Sequence, residues 1–133
     1  MFTIKKIFHL AYAHRLPGHK GKCRNLHGHN ALVEVTLKAR SLNGEKMVMD
    51  FTELGRAVKK WLDDNLDHKV LLSKKDPLLK LLQKEGQACF TTTQNPTAET
   101  LAELIFKALR RSGLPVHKVA FWETPTSMAG YRK

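Results

Sequence analysis

The stretch "ALVEVTLKARSL" holds the cleanest alternation in the chain: Ala31, Val33, Val35, Leu37 and Ala39 are apolar, whereas Glu34, Thr36, Lys38 and Arg40 are polar. A period of two sends successive side chains to opposite faces, which predicts a half-buried strand. "FTIKKIFHLAYAH" repeats the pattern, with Phe8, Leu10, Tyr12 and His14 on one face. Between the two lies "RLPGHKGKCRNLHGHN", a loop punctuated by Pro17, Gly18, Gly21 and Gly28. After the second strand, "NGEK" carries the Asn-Gly hairpin signal, and "MVMDF" reads as the returning strand.

The period then lengthens. Leu54, Val58, Trp61 and Leu62 recur at helical spacing, and Asp50 with Glu53 supplies a capping-box start. Trp61 reads as a core residue. A second helix runs through "NPTAETLAELIFKALRRSG". Asn95 is its cap, Pro96 its first turn and Gly113 its stop, with Leu101, Leu104, Ile105, Ala108 and Leu109 as the apolar stripe. The connector 69–94 holds a short helix from Pro77 and a strand near Cys89. "VHKVAFWETPTSMAGYRK" reads as two short strands around "TPTS". The order β-β-α-α-β-β predicts an α+β domain over residues 1–133, an antiparallel sheet with two helices on one face.

Composition narrows the class. No apolar run approaches the ~20 residues of a membrane span. "IFHLAYA" is too short, and too interrupted by His9, for a secretory signal. Two cysteines form no disulfide framework, so the expectation is a reduced cytoplasmic protein, with Cys89 a small core residue. The net charge of +11 admits two partners, nucleic acid or an anionic small molecule. Most cations are dispersed. The exception is "HKGKCR", where Lys20, Lys22 and Arg24 surround Cys23.

His27 and His29 lie two apart, so an extended backbone points both to one face, and His14 ends the preceding strand. Three neutral imidazoles make a three-histidine zinc site with an open position; with Cys23 as fourth ligand the site would be closed and structural. His9 and His117 have no partner pattern, and His19 is either an anion contact or simply exposed. Lys22 and Arg24 flank Cys23, and neighbouring cations favour a thiolate. Asp67 beside His68 has the logic of a base with its orienting carboxylate. Glu123, at the end of an apolar strand, suits a carboxylate that grips a ring bearing N–H donors. A different class, a basic zinc-stabilised nucleic-acid module, stays open on these residues, although no RNP-like aromatic motif or paired C-x2-C accompanies it.

"AYAHRL", "CRNLHGHN", "MVMDFTEL", "LDHKVL", "NPTAETLA" and "FWETPT", in that order, resemble the 6-pyruvoyltetrahydropterin synthase / 6-carboxytetrahydropterin synthase family. The resemblance covers almost the whole chain. It implies the tunnelling fold, with subunits joined into β-barrels as trimers or hexamers and active sites at their interfaces. It implies Zn2+ on His14, His27 and His29, Cys23 as the proton-abstracting base, and Asp67 with His68 in proton relay. It implies Glu123 as the pterin anchor, sometimes counted in the relay, and Thr97 as a substrate contact through its backbone. The implied substrate is 7,8-dihydroneopterin triphosphate, a small molecule, with no nucleic acid or membrane involved. The spacing C-x3-H-G-H is similar to that of the 6-carboxy-5,6,7,8-tetrahydropterin synthases of the queuosine route. The 6-pyruvoyl enzymes of biopterin synthesis have more residues there.

Overall fold

The computed structural model describes residues 1–133. Strands β1 (Phe2–His14) and β2 (His27–Ala39) pair antiparallel over their full length, from Phe2 opposite Ala39 to His14 opposite His27. The alternation read from the sequence is realised. Phe8, Leu10, Tyr12 and His14 are buried on one strand, Ala31, Val33, Val35 and Leu37 on the other. The segment resembling a signal peptide is thus the interior of a strand.

Helix α1 (Phe51–Asn65) starts where Asp50 accepts from the N–H groups of Thr52 and Glu53 at 2.8 and 3.1 Å, and it buries Leu54, Val58 and Leu62. Trp61 packs half-buried against the edge of this core. Strand β3 (Lys69–Ser73), helix α2 (Leu78–Lys84) and strand β4 (Cys89–Thr92) occupy the connector. Helix α3 (Ala98–Arg111) buries Leu101, Ala102, Ile105, Phe106 and Leu109; strands β5 (Val116–Thr124) and β6 (Ser127–Arg132) follow.

Four expectations are corrected. First, the sheet is mixed. Its order is β4-β3-β1-β2-β5-β6, with β3 parallel to both β1 and β4. Leu71, Leu72 and Ser73 are all buried, so this strand is covered on both faces and shows no alternation to read. A third, short helix, α2, accompanies it. Second, "NGEK" turns the chain without a hairpin. Asn43 spends its side chain on the N–H groups of Glu45 and Met47, and "MVMDF" joins no strand because β5 already occupies the free edge of β2. Third, the cap of α3 is Thr97, whose Oγ1 accepts from Thr100 N–H at 3.2 Å; Asn95 instead donates to the Pro17 carbonyl at 3.2 Å. Fourth, Cys89 sits half-exposed on an edge strand, outside the core, its thiol pushed up by partial burial. No helix is long and apolar enough to cross a membrane.

The connector is tied back to β1 by one ion pair. Arg15 Nε donates to Asp76 Oδ2 at 2.8 Å and its Nη2 to the other carboxylate oxygen, while Asp76 also receives Leu78 N–H at 2.9 Å. The Asp76 side chain is fully buried. The Arg15 guanidinium holds its carboxyl below the usual carboxylate range. Asp76→Ala leaves a partly buried guanidinium unpaired and is expected to cost about 2–3 kcal/mol in urea unfolding at pH 7. In the native protein this contribution is full above about pH 4, the unfolded carboxylate value, and fades as pH falls through the lower native value.

Candidate metal centre and active site

The β1–β2 register builds the site. His14 lies opposite His27 and Tyr12 opposite His29, and period two puts all four on the same face. The imidazole centroids are 4.6, 5.2 and 5.0 Å apart for the pairs 14–27, 14–29 and 27–29. Gly28 between the two histidines is a clearance: a Cβ there would stand 3.0 Å from the Tyr12 carbonyl oxygen.

Backbone carbonyls set two tautomers. His14 Nδ1–H donates to the Pro96 carbonyl at 2.8 Å, and His27 Nδ1–H to the Asn25 carbonyl at 2.7 Å. Each Nε2 therefore keeps a lone pair, and the two face each other at 3.1 Å. Two such lone pairs repel unless a cation lies between them. His29 Nε2 is buried without a hydrogen-bond partner. One donor nitrogen from each ring lies within 4.8 Å of the other two. A tetrahedral ion bound about 2.0–2.1 Å from each nitrogen would space them by about 3.3 Å. A ring N–H bonded to a carbonyl is also the usual outer support of a metal-bound histidine. Burial pushes the imidazoles of His14 and His29 below their ordinary value, favouring the neutral form that a metal needs. These residues fit a zinc-like ion.

Glu123 reaches the cluster from β5. Its Oε1 accepts from the Tyr12 hydroxyl at 3.3 Å and lies 3.8 Å from His14 Nε2. Burial first, and the Glu123 charge second, raise Tyr12 above the ordinary phenol range. Tyr12 was readable in the sequence only as a core residue. Its place two positions before His14, on the same face, is the signal that joins it to the site.

Cys23 stands on a single 3-10 turn, Lys22–Arg24, half-buried. It is not one of the mutually adjacent donors, which are His14, His27 and His29 alone, so the closed four-ligand arrangement is not formed. His9, His19 and His117 also lie outside that group. A cavity of about 370 Å³ adjoins it, lined by Cys23, Glu123 and Thr97 together with Leu16, His19 and Met128. The N-terminus of α3 meets this cavity through Thr97.

Asp67 and His68 lie elsewhere. They line a separate opening of about 400 Å³ with His9, Ala11, Asn30 and Lys59. Ala11 N–H donates to Asp67 Oδ1 at 3.0 Å, and His68 N–H donates to the Ala11 carbonyl at 2.7 Å, so the dipeptide is stapled to β1 on both sides. His68 adopts φ 56°, the left-handed region that non-glycine residues seldom enter, and its ring is 81 % exposed. Its Nδ1–H donates to Asp67 Oδ2 at 2.6 Å, which leaves Nε2 free to take a proton. Burial opposes the Asp67 charge, but the hydrogen bonds from His68 and Ala11 outweigh it and hold the carboxyl below its ordinary value.

The 6-pyruvoyl tetrahydropterin synthase family matches residues 3–133. The 6-carboxy-5,6,7,8-tetrahydropterin synthase of Haemophilus influenzae is 36% identical over 141 residues, covering 100% of both chains. Among solved structures, an uncharacterized protein of Wolinella succinogenes superposes with a TM-score of 0.85 at 26% identity, covering 99% of this chain and 98% of the other. The 6-pyruvoyl tetrahydropterin synthase of Caenorhabditis elegans superposes with a TM-score of 0.74 at 28% identity, covering 99% and 95%.

The His27→Ala and His29→Ala proteins are expected to bind a divalent metal at least about a hundredfold more weakly, while Cys23→Ala retains it; metal titration with a chromogenic competitor measures this. The metal-free protein is expected to lose stability as pH falls below about 6.5. The unfolded imidazoles of His14 and His29 take protons there, whereas the native ones resist; chemical unfolding at pH 8, 6.5 and 5 reads the slope.

Proposed function

The chain belongs to the 6-pyruvoyl tetrahydropterin synthase family, and from that premise we propose that it is a zinc-dependent 6-carboxy-5,6,7,8-tetrahydropterin synthase. It converts 7,8-dihydroneopterin triphosphate to 6-carboxytetrahydropterin, with release of acetaldehyde and triphosphate, in the queuosine and 7-deazapurine route. The observation that carries the chemistry is the convergence of three imidazoles with Glu123 beside the cavity that holds Cys23. The C-x3-H-G-H spacing and the 36% identity to the Haemophilus influenzae relative of that name favour the 6-carboxy outcome.

Each residue has a role its surroundings support. Glu123, already the acceptor of one hydroxyl hydrogen bond, receives the ring N–H donors of the pterin, and Thr97 lines the same cavity at the start of α3. His14, His27 and His29 would hold a zinc ion, which would supply Lewis acidity to the bound substrate. Cys23, as thiolate, takes the proton from the neighbouring carbon. His68 exchanges a proton at Nε2, with Asp67 holding Nδ1 and fixing the tautomer.

Within one chain Asp67 and His68 do not line the Cys23 cavity. The relay is therefore completed by a neighbouring copy, so that the enzyme is a homo-oligomer with shared sites. The strain at His68 and the exposure of its ring suit a residue presented to another subunit.

Zinc-loaded protein incubated with 7,8-dihydroneopterin triphosphate is expected to yield 6-carboxytetrahydropterin and stoichiometric acetaldehyde, read by chromatography and an aldehyde-coupled assay. A 6-pyruvoyl product with no acetaldehyde would instead assign the triphosphate-eliminating reaction. Cys23→Ala and His68→Ala are each expected to lower kcat by about 10²–10⁴-fold. Co-assembled Cys23→Ala and His68→Ala chains are expected to regain activity that neither has alone. Failure to regain any would show that base and relay act within one chain.

A further inference from the structure

The loop that carries Cys23 holds another imidazole, and its ring is fixed. Gly21 N–H donates to His19 Nδ1 at 2.8 Å. An Nδ1 that accepts a hydrogen bond carries no proton, so the ring proton of the neutral imidazole sits on Nε2. Gly21 also makes room for the ring. A Cβ at that position would lie 3.0 Å from His19 Cε1 and 3.2 Å from Nδ1, closer than a side chain ordinarily sits. The loop closes on itself through Leu16 N–H to the Cys23 carbonyl at 2.9 Å and His19 N–H to the Leu16 carbonyl at 3.1 Å. Glycine 21 thus acts twice, as the donor that sets the tautomer and as the gap that seats the ring.

His19 lines the same cavity as Cys23 and Glu123. The carboxylates on that cavity, Glu99 and Glu123, come from α3 and β5, whereas the loop lines it with Leu16, His19 and Cys23, and its cations Lys20, Lys22 and Arg24 stand beside these in sequence. Lys20, Lys22 and Arg24 form no ion pair with any carboxylate of the chain. Their positive field concentrates a polyanion at the loop, but a lysine on a flexible stem brings charge without direction. His19 is the loop side chain with both a set donor and a set ring.

We infer that His19 Nε2–H is a directed donor to the phosphate chain of the substrate, and that His19 with Gly21 selects a phosphorylated pterin over its dephosphorylated form. The inference rests on the reading of the substrate as a dihydropterin triphosphate.

The test compares wild type, His19→Ala, His19→Gln and Gly21→Ala. Kinetics use 7,8-dihydroneopterin triphosphate and 7,8-dihydroneopterin, and calorimetry uses inorganic tripolyphosphate. A lost charge-assisted hydrogen bond predicts that His19→Ala raises KM for the triphosphate and the tripolyphosphate Kd by about ten- to a hundredfold. The loss falls on KM rather than kcat. Gln, with an amide N–H near the position of Nε2–H, recovers part of it. Gly21→Ala, which keeps His19 but displaces its ring, shifts both constants in the same direction as His19→Ala. Unchanged KM and Kd in His19→Ala would overturn the inference, as would a loss confined to kcat or equal losses on both pterins. If wild type turns over neither pterin, the functional reading fails. Tripolyphosphate binding and its response to His19→Ala still decide the phosphate contact separately.

Discussion

The unbroken antiparallel pairing of β1 with β2 is the constraint on which the rest depends. Its register puts His14 opposite His27 and Tyr12 opposite His29. A slip of one residue would turn every side chain of one strand to the other face, exposing Leu10 or Val33 according to which strand turned, and dispersing the imidazoles with it. Core and site are therefore specified by one register. The apolar residues that bury the sheet against α1 and α3 also hold the histidines in place. Gly28 permits the close backbone approach at the end of the pair where the histidines lie.

That arrangement has an electrostatic cost. Imidazoles with facing lone pairs and a buried Nε2 without a partner are unfavourable in a protein interior. The backbone directs this tension toward ligand binding. The Pro96 and Asn25 carbonyls occupy the Nδ1 positions and leave Nε2 of His14 and His27 free. Burial disfavours the protonated imidazoles of His14 and His29. Glu123 adds a negative charge nearby without entering the three-nitrogen group. A metal cation resolves the conflict, whereas burial opposes protonation of His14 and His29.

The connector links two surfaces that are separate within one chain. Arg15 follows His14 directly, and its pairing with buried Asp76 anchors the end of β1 to the segment after β3. Asp67 and His68, just before β3, are fastened to Ala11 of the same strand. The strand that ends in a histidine of the cluster thus also carries, on another surface, the Asp–His pair. One rigid element sets the position of both, although they open into different cavities.

Much was legible in the sequence because it is local. Period two in both long strands, the Asp50 cap, the apolar stripes of α1 and α3, and the shared face of His27 and His29 all follow from backbone geometry over a few residues. The order of motifs identified the family, and Cys23, Glu123 and Thr97 do line one cavity. Other features are not local. The parallel strand β3 left no alternation to read, because Leu71, Leu72 and Ser73 are all buried, and β4 is an edge strand of only four residues. The Asn-Gly turn lacked a strand partner because β5 had taken the edge. The Thr97 cap replaced Asn95 because the Asn95 side chain found the Pro17 carbonyl, 78 residues away in sequence. The sequence by itself determined which residues could bear the chemistry, since side-chain type and strand period are written residue by residue. Only the tertiary structure decided that Cys23 stays off the three-nitrogen cluster, that Asp67 and His68 face another opening, and that the Pro96 carbonyl, far along the chain, holds the His14 tautomer. Those outcomes depend on which backbone groups meet in space.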